Sequence, residues 1–333
     1  MNFLNELPRP FLVLAPMDDV TDTVFRQIVA ECAPPDVFFT EFVNVDGLQS
    51  PGRPNLLKKL RMTAMERPLI AQLWGKNPEN FQKTAAEIAD GTLAREAGAP
   101  EGVNFAGVDL NMGCPVKAVV QNGCCSALID NRELAVAIIQ ATQAGAASRL
   151  PVSVKTRLGS REVDYTWHEL LLQQKLNMLT IHGRTRVQMS AVPADWDKIG
   201  EVRALRDKLA PDTLFVGNGD VESYAHAQEL AAKHQLDGIM IGRGIFSDPF
   251  VFAEDSPWPA YSREQRINLY TKHVKLFVET WQGAPRNIAA LNKFCKVYIN
   301  GFDGAKELRE TLMNSASAEE LLAHLAAAHR RAA

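Results

Sequence analysis

Eight short apolar runs rich in β-forming residues recur along this chain: 11–16 FLVLAP, 37–43 VFFTEFV, 68–75 PLIAQLWG, 107–113 GVDLNMG, 152–159 VSVKTRLG, 178–185 MLTIHGRT, 214–219 LFVGNG and 238–244 GIMIGRG. None alternates strictly between apolar and polar residues, so each predicts a strand covered on both faces, as in a parallel sheet. The runs start about 32 residues apart, the length of a strand, a helix and two loops. Segments between them, such as 77–97 and 131–147, carry the apolar spacing of amphipathic helices. Eight βα units closing on themselves predict an α/β fold of the (β/α)8 TIM-barrel type. A doubly wound open sheet fits less well, because no G-x-G-x-x-G follows the first run.

The strand pattern stops after Phe252, and EDSPWPAYS at 254–262 reads as a linker. Beyond it the spacing predicts helices only, at 263–282, 285–299, 303–313 and 317–332, with breaks at Gly283 and Pro285 and at Asn300 and Gly301. The expected organisation is therefore a barrel over 1–253, a linker over 254–262 and a small all-helical domain over 263–333. The first residues carry no basic stretch, and the apolar run at 11–16 ends in Pro16 with Asp18 and Asp19 behind it. That predicts neither a signal peptide nor a membrane span, hence a cytoplasmic protein. Five cysteines without zinc or disulfide spacing read as reduced thiols, and no metal site is expected.

A net charge of −3 gives no hint of a polyanionic partner, but residues 261–310 hold nine basic against five acidic side chains. Taken alone, that excess is a solvated helical face.

Reactive groups of a TIM barrel lie at the C-terminal ends of its strands, and the unusual polar residues of this chain fall there repeatedly. The first run ends in Ala15-Pro16-Met17, the third contains Gln72, the fourth leads to Asn111 and Cys114, and the fifth carries Lys155 and Arg157. The sixth ends in His182, Gly183 and Arg184, the seventh in Gly217-Asn218-Gly219-Asp220, and the eighth in Gly242-Arg243-Gly244. Glycine pairs after the last two strands, with a cation beside them, match the phosphate-binding loops of such barrels. Lys155 lies between apolar strand positions and needs an acceptor facing it. Cys114 has no sequence-local cation or histidine to lower its pKa, so it reads as a protonated thiol that donates a proton. Cys32 and Cys295 read as small core residues, and Cys124 and Cys125 stay undecided.

In order and spacing, APMDDVTDTVFR at 15–26, TEFVNVDGL at 40–48, AQLWG at 71–75, GVDLNMGCPVKAVVQNG at 107–123, VKTRLG at 154–159, IHGRTR at 181–186, GNGD at 217–220 and IGRG around Gly242 resemble the tRNA-dihydrouridine synthases. The resemblance spans roughly 11–310. It implies FMN at the barrel mouth, reduction by NADPH or NADH, and reduction of the C5–C6 double bond of uridines in transfer RNA. By position it implies that Pro16, Met17 and Asp18 support the flavin and that Gln72 and Lys155 bond its ring. His182, Asn218, Gly219, Asp220, Gly242 and Arg243 match its phosphate and ribityl contacts. Cys114 matches the proton donor to C5, hydride reaches C6 from the flavin N5, and Asn111 and Arg184 are assigned to the substrate. With this resemblance the basic tail, through Arg263, Arg266, Lys272, Lys275, Arg286, Lys293 and Lys296, is expected to bind tRNA. No membrane partner is expected, and the protein is expected to act as a monomer. The chain departs from the family pattern at Asp19, where glycine is usual, and at Cys124-Cys125-Ser126, which replace a Gly- and Ala-rich run. The rival readings are a flavin barrel acting on a free pyrimidine and a catalytically silent tRNA binder.

Overall fold

A computed structural model describes residues 2–283 and 286–330. Pro285, and the end of the last expected helix beyond 330, lie outside the described residues. Nine strand segments form one parallel sheet: β1 (Phe11–Leu14), β2 (Phe38–Phe39), β3 (Val43–Asn44), β4 (Leu69–Trp74), β5 (Gly107–Met112), β6 (Val152–Arg157), β7 (Met178–His182), β8 (Leu214–Asn218) and β9 (Gly238–Ile241). The order is β1-β9-β8-β7-β6-β5-β4-β2, and a bridge between Val13 and Val37 brings β2 back to β1. The ring is a TIM barrel.

All eight expected strands form, but the second is cut into β2 and β3. The backbone N–H of Gln72 donates to the Thr40 hydroxyl at 3.0 Å, and that hydroxyl donates to the Glu41 carbonyl at 2.6 Å. A side chain thus stands in for a ladder partner and lets Glu41 and Phe42 leave the strand path. The helical span expected at 77–97 divides into Pro78–Ala89 and Thr92–Glu96, because Gly91 takes φ 79° between them.

The closed end of the barrel is filled by side chains from strands around the whole ring. Phe11, Val13, Phe39, Ile70, Met178, Val216 and Met240 meet there, with Leu4 from the N-terminal turn beneath them. Burial of this kind stabilises by ~25 cal/mol per Å² of apolar surface. Above this layer, the inward positions of β4 to β7 turn polar: Gln72, Asp109, Asn111, Ser153, Lys155 and Thr180. The barrel is therefore an apolar plug under a polar floor.

The chain packs as two compact units. One runs to Thr23 and again from Pro35 to Gly242; the other takes Val24–Pro34 and resumes at Arg243. The second unit holds helices Arg263–Thr280, Asn292–Tyr298, Ala305–Met313 and Ala318–Arg330. Within it Phe25 stacks on Phe294 with ring centres 4.9 Å apart and lies 6.1 Å from His273. The stretch 254–262 is packed as well. Trp258 is buried, with the Arg266 guanidinium 4.0 Å from its ring centre.

Candidate active site

Asp109 anchors the polar floor. Its carboxylate accepts from Gln72 Nε2 at 2.7 Å and from Ser153 Oγ at 2.5 Å, so neighbours on both sides hold it. Burial pushes its pKa up to about 6 against the pull of those two bonds. The Gln72 carbonyl accepts from Asn111 Nδ2 at 3.1 Å, and Asn111 Oδ1 accepts from the backbone N–H groups of Gly113 at 3.1 Å and Cys114 at 2.9 Å. Gln72 keeps a second amide hydrogen beyond this chain of bonds. Asp109 was not singled out from the sequence, although an acid inside an apolar strand is a readable signal.

Lys155 lies beside Asn111 on one neighbouring strand and Thr180 on the other. Burial brings its pKa down to about 8; Arg157 pushes the same way, while Asp109 and Cys114 oppose. Among the described residues no acceptor hydrogen-bonds its ammonium, and the buried Thr180 hydroxyl beside it has no partner either. Two unanswered donors at the top of a barrel fit a ligand with acceptors on its edge.

Cys114 is half-buried and helps to line a pocket of about 180 Å³ with Asp18, Phe42, Lys59, Trp74 and Val119. Lys59 pairs with Asp18 and, at 3.5 Å, with the buried Glu41. The thiol differs from the sequence expectation of an ordinary pKa. The neighbouring Cys125 side chain pulls Cys114 down to about 7, helped by the Val116 backbone and Arg157 and opposed by burial and Asp18. The signal was unreadable in the sequence because Cys125 lies eleven positions away, across a short helix Lys117–Gln121.

Arg157 reaches from the end of β6 to the Gly113 carbonyl at 2.7 Å and to the Thr185 and Met189 carbonyls at 3.1 and 3.2 Å. It joins the loop carrying Cys114 to the loop after β7. Burial lowers its pKa to about 10, which leaves it a cation at neutral pH.

At the other side of the mouth, Asn218 donates to the Met240 carbonyl at 2.8 Å. Gly219 takes φ 136°, and a Cβ there would stand 2.6 Å from that of Ala194, so this turn requires glycine. At Gly242 a Cβ would meet nothing nearer than Ala15 at 3.6 Å, with Met17 Sδ at 4.0 Å, leaving open space beside the end of β1. Asp220 pairs with Arg184 and accepts from the Ala194 N–H at 2.9 Å. Arg184 differs from its expected place against the substrate. It is only 3% exposed, bonded to Asp220, to the Val192 carbonyl at 2.5 Å and to His182 Nε2 at 3.3 Å, so it braces the loop internally. Pro16 and Met17 are half-buried, and Asp18 is exposed toward the Cys114 pocket. Arg243 is the first residue of the second unit and follows Gly242 directly.

Of the basic residues expected to meet RNA, Lys272, Lys275, Lys293 and Lys296 are exposed and Arg263 and Arg286 half-exposed. Lys272 pairs with Glu31, and the Arg286 guanidinium lies 5.1 Å from the Trp281 ring centre. Arg266 is a correction: it is buried, donating to the Trp258 and Tyr261 carbonyls at 2.9 and 3.2 Å and to Asn300 at 2.9 Å. Its position on the buried face of its helix was legible in the spacing of Ile267, Tyr270 and Val274.

Among the described residues no helix is long and apolar enough to cross a membrane. Asp19 and Cys125, the departures from the family pattern, both adopt left-handed backbone, with φ 57° and 54°. That is the conformation glycine takes most readily.

Comparison with known proteins bears on this geometry in three ways. The profile of the family described as dihydrouridine synthase (Dus) matches residues 13–333. A Bacillus subtilis (strain 168) protein named probable tRNA-dihydrouridine synthase 2 is 44% identical over 328 residues, covering 97% of this chain and 95% of the relative. A Staphylococcus aureus (strain COL) protein named probable tRNA-dihydrouridine synthase is likewise 44% identical, over 97% of this chain and 94% of its own length. The barrel fold is shared with the solved 6-hydroxypseudooxynicotine amine oxidase of Pseudomonas geniculata N1, at 13% identity and a TM-score of 0.51, covering 72% of this chain and 46% of that one. With a family profile running from the first strand to the end, and relatives similar over their whole length, this chain belongs to the dihydrouridine synthase family of enzymes.

Proposed function

We propose that this protein reduces the C5–C6 double bond of uridine in transfer RNA, with FMN bound at the barrel mouth and NADPH or NADH as reductant. The observation that carries this reading is Lys155, a half-buried cation at the top of the ring whose ammonium no described residue accepts, beside the pocket that Cys114 lines. Family membership and the names of the relatives support the substrate class.

The residues present fit the flavin. Lys155, with the Thr180 hydroxyl, would meet acceptors on its ring, Met17 and Pro16 would flank it, and Gly219, Asn218, Gly242, Asp220 and His182 would line its ribityl and phosphate end. In the family reading, Arg243 adds a cation there. When bound, FMN supplies hydride to C6 of the uracil. The protein's own residues do the rest. Phe42 and Trp74 offer apolar faces to a planar base in the small pocket. Asn111 fixes the loop from which the Cys114 sulfur faces that base. As negative charge develops at C5, the Cys114 S–H gives up its proton there. Arg157 and Lys155 lie close enough to influence Cys114 electrostatically and stabilise the thiolate left behind.

A base stacked inside folded RNA must be turned out to enter such a pocket, at a cost of a few kcal/mol. In this proposal exposed Lys272, Lys275, Lys293 and Lys296, with Arg263 and Arg286, supply phosphate contacts that offset it. The protein is proposed to work as a cytoplasmic monomer. The test is spectroscopic. Purified protein is expected to be yellow, to bleach with NADPH, and to regain colour anaerobically with unmodified tRNA but not with free uridine. Colourless protein that still binds tRNA would overturn the reading in favour of a silent binder, and reoxidation by a free pyrimidine would overturn the substrate assignment.

A further inference from the structure

We propose that Lys59 and Asp18 read the edge of the uracil, with the Lys59 ammonium donating to O4 and the Asp18 carboxylate accepting from N3–H. This rests on the reading of the Cys114 pocket as the place that receives the base. Asn111 commits its Oδ1 to the loop backbone, and Arg184 is bonded among the loops after β7 and β8, so the edge of the base falls to the pocket lining. Of the polar side chains there, Asn44 gives its Oδ1 to the Gly47 N–H at 2.7 Å, whereas Lys59 and Asp18 form an ion pair beside Phe42 and Trp74. Two anchors fix that pair. Lys59 belongs to the turn Lys58–Leu60, held by the fully buried Leu60 at its end. The preceding helix Arg53–Leu57 is held by Arg53, bonded to Glu87 and Glu96 at 2.9 and 2.8 Å. The buried Glu41, which leaves the strand path where Thr40 breaks it, pairs with Lys59 at 3.5 Å and accepts from the Asp19 N–H at 2.7 Å. One carboxylate thus holds both sides.

The pair keeps bonding capacity for a ligand. An ammonium carries three hydrogens and Lys59 has two acidic partners, while only Oδ1 of the Asp18 carboxylate meets a described donor. Burial works against the charge on Lys59, but Glu41 and Asp18 outweigh it and hold its pKa above the ordinary range. A donor beside an acceptor matches O4 and N3–H of uracil, which are neighbours on its rim. Cytosine presents the reverse, an amino donor beside a bare N3, so each of its groups would meet its like. O4 is also where charge goes. Hydride addition at C6 moves the C5=C6 electron pair toward C4, giving an enolate whose negative charge lies on O4 and C5. Lys59 stabilises it at O4 without giving up a proton; the Cys114 proton then goes to C5, and O4 returns to a carbonyl. Lys59 is thereby a catalytic residue, and Asp18 a specificity determinant.

The experiment takes full-length, flavin-loaded protein reduced by NADPH and follows, anaerobically, its reoxidation by unmodified tRNA transcripts made with uridine or with 4-thiouridine, whose sulfur is a poor acceptor. Wild type is expected to prefer uridine. Lys59→Met is expected to slow reoxidation at saturating uridine transcript by about a hundredfold and to lose most of that preference, with flavin absorbance and reduction by NADPH unchanged. Lys59→Arg, which keeps a cation against both acids, is expected to restore most of the rate. Asp18→Ala removes an acceptor used before and during reaction alike, so KM for tRNA is expected to rise several-fold with kcat little changed. A Lys59→Met protein that discriminates between the transcripts as wild type does would overturn the proposal, as would a wild type indifferent to the swap or an unchanged KM in Asp18→Ala. Should Lys59→Met fail to fold because Glu41 loses its cation, Lys59→Met combined with Glu41→Gln carries the same comparison. Wild type left bleached by every unmodified tRNA would refute the uridine reading itself, from which the pair takes its role.

Discussion

Asn111 Oδ1 stands 2.9 Å from the backbone nitrogen of Cys114, and through its other end the same amide donates to Gln72 at 3.1 Å. One side chain therefore ties the loop that presents the thiol to the polar floor of the barrel. Asn111→Ala unpairs two backbone N–H groups and the Gln72 carbonyl. A loss of ~1–3 kcal/mol in stability is expected, with faster hydrogen exchange at Gly113 and Cys114 and uridine reduction slowed more than tenfold. Unchanged exchange at those two amides would refute the tether.

Lys155→Met separates ligand binding from stability. The half-buried ammonium has no acceptor among the described residues, so its loss is expected to leave the melting temperature of flavin-free protein unchanged or raised. A charged hydrogen bond to the flavin is worth ~1.5–3 kcal/mol, so FMN affinity is expected to fall roughly ten- to a hundredfold. Titration calorimetry and thermal melts check both; a destabilised variant with undiminished flavin affinity would contradict the assignment.

His168 gives a pH dependence with a definite sign. It is buried in the helix Tyr165–Leu172 with Nε2 donating to the Arg157 carbonyl at 3.1 Å, and burial lowers its pKa from 6.5 to about 4. The folded state therefore holds it neutral where the unfolded chain would protonate it. Its share of stability is complete above pH 6.5 and is lost as pH falls toward 4. The full span is worth about 3 kcal/mol. Melts between pH 7.5 and 5 are expected to fall more steeply for wild type than for His168→Gln, which starts lower; parallel curves would rule the linkage out.

The basic helices divide into surface and scaffold. Lys293→Glu with Lys296→Glu is expected to weaken tRNA binding and flatten its salt dependence, by about 0.7–0.9 in the log–log slope for each phosphate no longer neutralised, without lowering the melting temperature. Arg266→Ala is expected to lower that temperature clearly, because three acceptors and the face of Trp258 lose their partner. Filter binding across salt concentrations and melts of both variants distinguish the two roles.

The barrel was legible in the sequence because a strand buried on both faces leaves a run that little else produces, and eight such runs at one spacing admit few closures. Lys155 and Asn218 were legible for a related reason, since a polar side chain in an apolar run needs something to face. Asp109 carries the same signal, but its partners Gln72 and Ser153 lie on two other strands. Arg184 and Arg266 mark the limit of such reasoning. A cation near a strand end or on a basic helix is written identically whether it meets a ligand or a carbonyl, and only the fold reveals the carbonyls. The Cys114 environment was hidden most deeply, because its chief determinant is a neighbour that a loop brings back to it.

Val24–Pro34, set between β1 and β2 in the chain, belongs to the same compact unit as everything after Gly242. During translation Phe25 leaves the ribosome long before Phe246, His273 and Phe294, the rings it packs against. Until the final helices are made, this early helix has no finished home. A gene cut after the last barrel strand would yield a product with an orphaned greasy helix, prone to clump, and the tail expressed by itself would lack one of its own walls. Shuttling either half onto another scaffold therefore demands that the eleven-residue piece travel with the tail.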